Sequence, residues 1–209
     1  MACCKQTLTS CLILASSLVL AEAACGTGSE QIFTKIDLAL QAFQQNYKVP
    51  TGIEYAEADA ENSDNAPITV DFSSKDPGVV FRSMASQKPA YVWNLEDGVY
   101  ELYPKSPPDR VSDMTIALYY VKDATPQEAS DALTRLPELQ LWLSEHHATR
   151  SEIMHGPRWG VDPDRTRISL ELHNVPLRAI LNQLFRKVGS SGWGISRWGD
   201  KKQFLAINF

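Results

Sequence analysis

Apolar and polar positions along this chain fall into one phrase that recurs: a short alternating strand, a polar turn, a proline, then an amphipathic helix. Residues 68–72 (ITVDF) lead through Asp76-Pro77 into VVFRSMAS. Residues 114–121 lead through Thr125-Pro126 into QEASDALTRL, and residues 168–172 lead through Val175-Pro176 into LRAILNQLFRKVG. A spacing of about 50 residues marks a small supersecondary unit reused along the chain. The phrase is physically consistent. Ile68, Val70 and Phe72 alternate with polar residues, the period of a half-buried strand. Asp76 predicts an N-cap, and Pro77 sits where a missing N–H costs nothing. The helix after it buries Val80, Phe81 and Met84. In the last phrase Leu177, Ile180, Leu181, Leu184 and Val188 form one helical stripe, and Gly189 ends it.

Two of the phrases continue into a hairpin. Residues 91–95 and 99–103 flank Asp97-Gly98, a strong two-residue turn signal. Residues 193–197 and 203–209 turn near Gly199-Asp200. The expected class is therefore α+β: two β-α-β-β modules flanking a strand–helix module, in small mixed sheets each covered by a helix on one face. Ahead of them, Ser29 is expected to cap a helix from Glu30 to about Tyr47, stopped by Pro50, with a strand at 52–56. Residues 57–66 are an acidic loop whose spacing is not that of a calcium site. Domain boundaries follow: 24–103 for the helix and first module, a proline-rich linker at 104–110, 111–166 for the strand–helix module, and 167–209 for the last. Modules of this size have small cores, so Trp93, Phe81, Leu181 and Leu184 are expected to be buried between packed modules. Residues 137–166 carry no clear period, and LQLWL fits a strand or a helical turn.

The first 23 residues change the picture of where the chain works. Lys5, an apolar run at 8–20 too short to span a bilayer, and Ala21-Glu22-Ala23 predict a signal peptide cut after Ala23. The expected location is periplasmic or secreted, with no transmembrane segment after cleavage. Cys3, Cys4 and Cys11 leave with the signal, so Cys25 alone remains and no internal disulfide can form. Cys25 next to Gly26 is a candidate for lipid attachment, although Glu22 stands where such signals carry an aliphatic residue. The chain has 20 Lys plus Arg against 25 Asp plus Glu. It shows no basic stripe, so nucleic acid is not an expected partner.

ISLELHNVPLRAILNQLFRKVG with its aromatic hairpin resembles the secretin and TonB short N-terminal domain. That pattern is an alternating strand, a polar turn, V-P-L-x-x-x-L-x-x-L, a Gly-ended helix and two strands. It covers 167–209 well and 67–103 more loosely. IALYYVKDATPQEASDAL resembles the neighbouring secretin N-domains. The resemblance implies periplasmic, non-enzymatic modules that bind other envelope proteins. The sequence carries neither a secretin pore nor a TonB-dependent barrel beside them, so it implies fold and binding style rather than transport.

Candidate chemistry is sparse. His146, His147 and His155, with Glu145 and Glu152, could supply a metal-dependent hydrolase, but no H-E-x-x-H and no cysteine completes a set. No G-x-S-x-G elbow or phosphate loop occurs. Trp193 and Trp198 on the last hairpin are candidates for stacking on glycan rings such as those of peptidoglycan, against the alternative that tryptophans fill contacts between modules. The leading reading is a non-catalytic envelope protein that binds a protein partner, without cofactor or metal; glycan binding is the alternative and metal-dependent hydrolysis the third.

Overall fold

A computed structural model describes residues 30–56, 66–106, 110–150, 165–189, 191–198 and 203–208. Its elements run β1 (Glu30–Phe33), α1 (Ile36–Tyr47), β2 (Thr51–Glu54), β3 (Ile68–Asp71), α2 (Pro77–Ser86), β4 (Tyr91–Glu96) and β5 (Val99–Pro104). A 3-10 turn (Val111–Asp113) then leads to β6 (Thr115–Ala124), α3 (Pro126–Thr134), α4 (Pro137–Glu145), β7 (Ala148–Arg150), β8 (Ile168–Pro176), α5 (Leu177–Val188), β9 (Gly192–Trp198) and β10 (Gln203–Asn208). The class is α+β with small mixed sheets, as the periodicity predicts.

Local chemistry sets the element ends where the sequence places them. The Asp76 side chain accepts from the Gly78 N–H at 2.8 Å and caps α2. Thr125 and Glu128 form a reciprocal capping box on α3. Asp97 and Gly98 both take positive φ, the requirement of the tight hairpin turn between β4 and β5. Gly189 is left-handed at the end of α5. The five apolar positions of the α5 stripe are all buried, each contributing on the order of 1.5–3 kcal/mol.

The pairing of strands departs from self-contained β-α-β-β sheets. The strand before each helix leaves its hairpin: β3 pairs antiparallel with β1, and β8 with β6. Both hairpins instead join one six-stranded sheet of order β4-β5-β2-β9-β10-β7. This order is a duplication. In the first half the hairpin β4-β5 is followed by β2, parallel to β5; in the second, β9-β10 is followed by β7, parallel to β10. The two halves meet where β2 runs parallel to β9. The repeat unit is thus β-α-β then β-α-β-β, used twice, with α4 added in the second copy. The buried positions of α1 (Ile36, Ala39, Leu40, Phe43) recur in α3 ninety residues on; those of α2 (Val80, Phe81, Met84, Ala85) recur in α5 one hundred residues on.

Equivalent strands point in opposite directions. β4 is antiparallel to β5, β5 is parallel to β2, and β2 is parallel to β9, so β4 and β9 are opposed. The halves are therefore related by a half-turn about a line across the strands plus a shift of three strands. That operation turns the sheet over, so α2 and α5 cover opposite faces. Tyr100 and Leu102 of β5 face the first core with Phe43 and Phe81. Val99 faces the second core with α5.

Two expectations need correction. The helix expected from Glu30 begins at Ile36, because 30–33 pairs with β3 as a strand and Phe33 packs edge-on against Phe72. Ser29, its expected cap, lies outside the described residues, as do residues 57–65 of the acidic loop and 107–109 of the linker. LQLWL is helical within α4, which buries Leu139, Trp142 and Leu143. Phe81, Leu181 and Leu184 are buried as expected, whereas Trp93 is half-buried at the sheet edge.

Candidate functional site

The most organised polar chemistry lies where α5 crosses the junction of the two halves. Residue 182 falls on the buried side of α5, so an asparagine there must find partners inside. Asn182 Oδ1 accepts from Trp193 Nε1 at 2.6 Å, and its Nδ2 donates to Glu101 Oε1 at 2.7 Å. Glu101 and Asn182 have no exposed surface. Arg178, one turn earlier, donates through Nε to Glu96 Oε2 at 3.0 Å and lies 3.8 Å from Glu101 Oε2. Arg178 also pairs with Asp113, which pairs with Arg110; the Arg110 guanidinium lies 4.3 Å from the centre of the Tyr103 ring.

Burial, above all, pushes the Glu101 carboxyl up from 4.5 to about 7; Glu96 and Asp97 add to the rise, while the Asn182 hydrogen bond and Arg178 oppose it. A second buried carboxylate works differently. Glu54, at the end of β2, accepts from the Val111 N–H at 3.0 Å and the Ser112 N–H at 2.9 Å. It thereby fastens the start of the second half to the centre of the sheet.

A carboxyl near half-titration at neutral pH is a catalytic hallmark when it lies in a cleft. Glu101 does not. It has no solvent-accessible surface, and neither of two surface grooves includes it in its lining. What this arrangement does is tie two copies of a fold together with charge-assisted and neutral hydrogen bonds.

The structure sorts the residues singled out in the sequence. Trp193 is 4% exposed and hydrogen-bonded through its ring N–H, so the expectation of a stacking platform there is corrected: the ring is a packing and bonding element of the junction. The side chain of Trp198 lies outside the described residues, as does Cys25. His146 stacks on Trp142 with ring centres 4.1 Å apart, its Nδ1 2.9 Å from the Trp142 carbonyl. His147 is exposed, and His155 and Glu152 lie outside the described residues. Among the described residues no group of three His, Cys, Asp or Glu side chains is placed to hold a metal ion.

Sequence reasoning missed Glu54, Glu101 and Asn182. On a one-sided sheet Glu101, alternating with Tyr100 and Leu102, would point to water. A signal was present in the asparagine beside Leu181 on an otherwise apolar helix face.

The most distinctive exposed surface is the outer face of the β6–β8 ribbon. Leu118 is 47% and Tyr120 54% exposed. Opposite them in register are His173 and Glu171, whose side chains lie 2.9 Å apart. Among the described residues no helix is long and apolar enough to cross a membrane. The chain matches no protein-family model, no characterised protein and no solved structure in the comparisons made.

Proposed function

We propose that this protein is a non-catalytic component of the cell envelope, periplasmic or secreted, that binds another protein through the outer face of the β6–β8 ribbon. The observation that carries this reading is the pair Leu118 and Tyr120, held in solvent on the ribbon beside the polar pair Glu171 and His173. An apolar centre with a polar rim is the anatomy of a protein-binding patch. The ribbon has only two strands among the described residues, so an extended partner segment can also add to it as a third. The signal-like leader supports the location, and the resemblance to secretin and TonB N-terminal modules supports the binding style. Nothing in the described geometry supports a reaction.

Affinity capture from native envelopes tests the reading. The wild-type chain is expected to retain a specific protein, and the double variant Leu118→Glu, Tyr120→Glu to lose it while keeping the same thermal midpoint. Retention by the double variant sinks the ribbon face as the docking surface. Sedimentation with purified peptidoglycan, with no protein partner retained, replaces this reading with glycan binding.

A further inference from the structure

The internal junction shows what the open edge of the same sheet is built to receive. At the junction, the Thr51 N–H donates to the Ser191 carbonyl at 3.1 Å and the Tyr55 N–H to the Ile195 carbonyl at 2.8 Å. Parallel strands alternate, so Ser191, Trp193 and Ile195 are the β9 residues whose backbone faces β2. Their counterparts one hundred residues earlier are Tyr91, Trp93 and Leu95 on β4. The Lys105 N–H donates to the Ala90 carbonyl at 2.8 Å, which fixes the alternation of the β4–β5 ladder. Trp93 and Leu95 therefore turn their backbone groups away from β5, to the edge where no strand pairs with β4 among the described residues.

The surroundings repeat as well. At the junction a groove of about 380 Å³ is lined from the α5–β9 side by Phe185, Arg186, Gly189 and Ser191, and from the other half by Gln44, Lys48, Val49 and Pro50. Beside β4 lies a groove of about 450 Å³ whose lining includes Ala85, Ser86, Pro89 and Tyr91, the same four positions one hundred residues earlier. Arg82, over the Trp93 ring at 5.4 Å, occupies the position of Asn182, which bonds Trp193. The second groove has the α–β wall of the junction groove without the wall supplied by the end of α1 and the segment before β2, and among the described residues the β4 edge lacks the strand that β9 has in β2.

That missing strand has a counterpart in the chain. β7 stands to β10 as β2 stands to β5, and it forms the other end of the sheet among the described residues. A left-handed residue precedes each: Lys48 before β2 and His147 before β7. We infer that the chain associates with further copies of itself, head to tail, β7 of one copy pairing in parallel with the β4 edge of the next as β2 pairs with β9 within the chain. Applying the internal half-turn twice restores the original orientation, so successive copies repeat along the sheet and the contact does not close at a dimer. This inference stands apart from the partner proposed for the ribbon face, which lies on a different sheet.

Sedimentation velocity on the full chain over a concentration series tests it. The expected result is a distribution that grows past the dimer with concentration. Leu95→Pro removes an N–H at the open edge, where proline is tolerated, and leaves the β4–β5 ladder intact. It is expected to be monomeric alone. Because it keeps its β7 end, a small fraction of it should shorten wild-type assemblies. Ser86→Trp, filling the groove without touching the ladder, should act in the same way. A chain that stays monomeric at its highest soluble concentration overturns the inference. So does assembly that stops at a dimer, or Leu95→Pro that assembles like wild type. A monomer that still captures an envelope protein through Leu118 and Tyr120 would refute self-association and leave the binding reading intact.

Discussion

At the scale of single residues, the two buried acidic side chains play different parts. Glu101 is held at about 7 against 4.5 for an unfolded carboxyl, so the folded chain keeps its proton more tightly than the unfolded chain does. Below pH 4.5 both states are protonated and the group is neutral for stability. Between 4.5 and 7 only the unfolded state ionises, and stability falls; above 7 the loss levels off at about 3 kcal/mol. Urea denaturation across pH 4 to 8 should show this decline, and Glu101→Gln should flatten it. A wild-type profile without the slope would contradict the burial of this carboxyl. Glu54 serves as an acceptor for two buried N–H groups. Glu54→Ala should cost roughly 3 kcal/mol, because both donors are left without a partner, and Glu54→Gln should cost less because one acceptor survives. Equal losses in the two variants, read from the same denaturation curves, would show that a single surviving acceptor contributes nothing at this position.

At the scale of elements, the β2–β9 pair depends on glycine for close approach. A Cβ on Gly192 would lie 2.0 Å from the Thr51 carbonyl oxygen, a backbone atom that cannot yield without breaking the pair. On Gly194 the nearest atoms would be side chains at 3.7 and 3.8 Å, an ordinary contact. Gly192→Ala is therefore expected to destabilise the chain by several kcal/mol and Gly194→Ala by less than about 1 kcal/mol. Similar thermal midpoints for the two variants would argue against the parallel pairing of β2 with β9. The cap of α3 offers a milder check. Thr125→Ala removes the acceptor for the Glu128 N–H and should cost about 1 kcal/mol.

At the scale of the whole molecule, the two halves share one sheet, and α5 of the second half bonds to β5 of the first through Asn182 and Glu101. Arg186 of α5 also donates to the Asp97 carbonyl at 2.9 Å. The first core is built from its own half, but the second takes in Val99 of β5, so the face of β5 opposite the first core is covered by α5. The chain is therefore expected to unfold in one transition, with tryptophan fluorescence and far-UV circular dichroism coinciding. Two separated transitions would show that the halves fold independently. The proposed signal peptide and envelope location make a prediction at the same scale: intact mass of protein recovered from the envelope should match a chain beginning at Ala24. A mass retaining residues 1–20 contradicts cleavage, and added acyl mass would assign lipid to Cys25.

The sequence by itself determined what depends on neighbours within a few residues. Asp76, Thr125 and Gly189 mark helix ends because caps are local hydrogen bonds and local backbone angles. Asp97-Gly98 marks a hairpin because only that turn matches the twist of its strands. The stripe on α5 and the alternation in β3 and β8 identify buried faces, and Ile68 with Ile168 already showed one repeat. Tertiary structure alone decided the strand partners. Residues 30–33 carry a helical period, yet their backbone groups pair with β3, a segment far along the chain. Whether an alternating residue meets water or a second core depends on what covers the other face; Glu101 reads as solvent-facing and lies buried because a helix some eighty residues away lies over it. The destination of β2, between two hairpins, is likewise set by the fit of Gly52 and Gly192 against strands distant in sequence, and no local pattern records it.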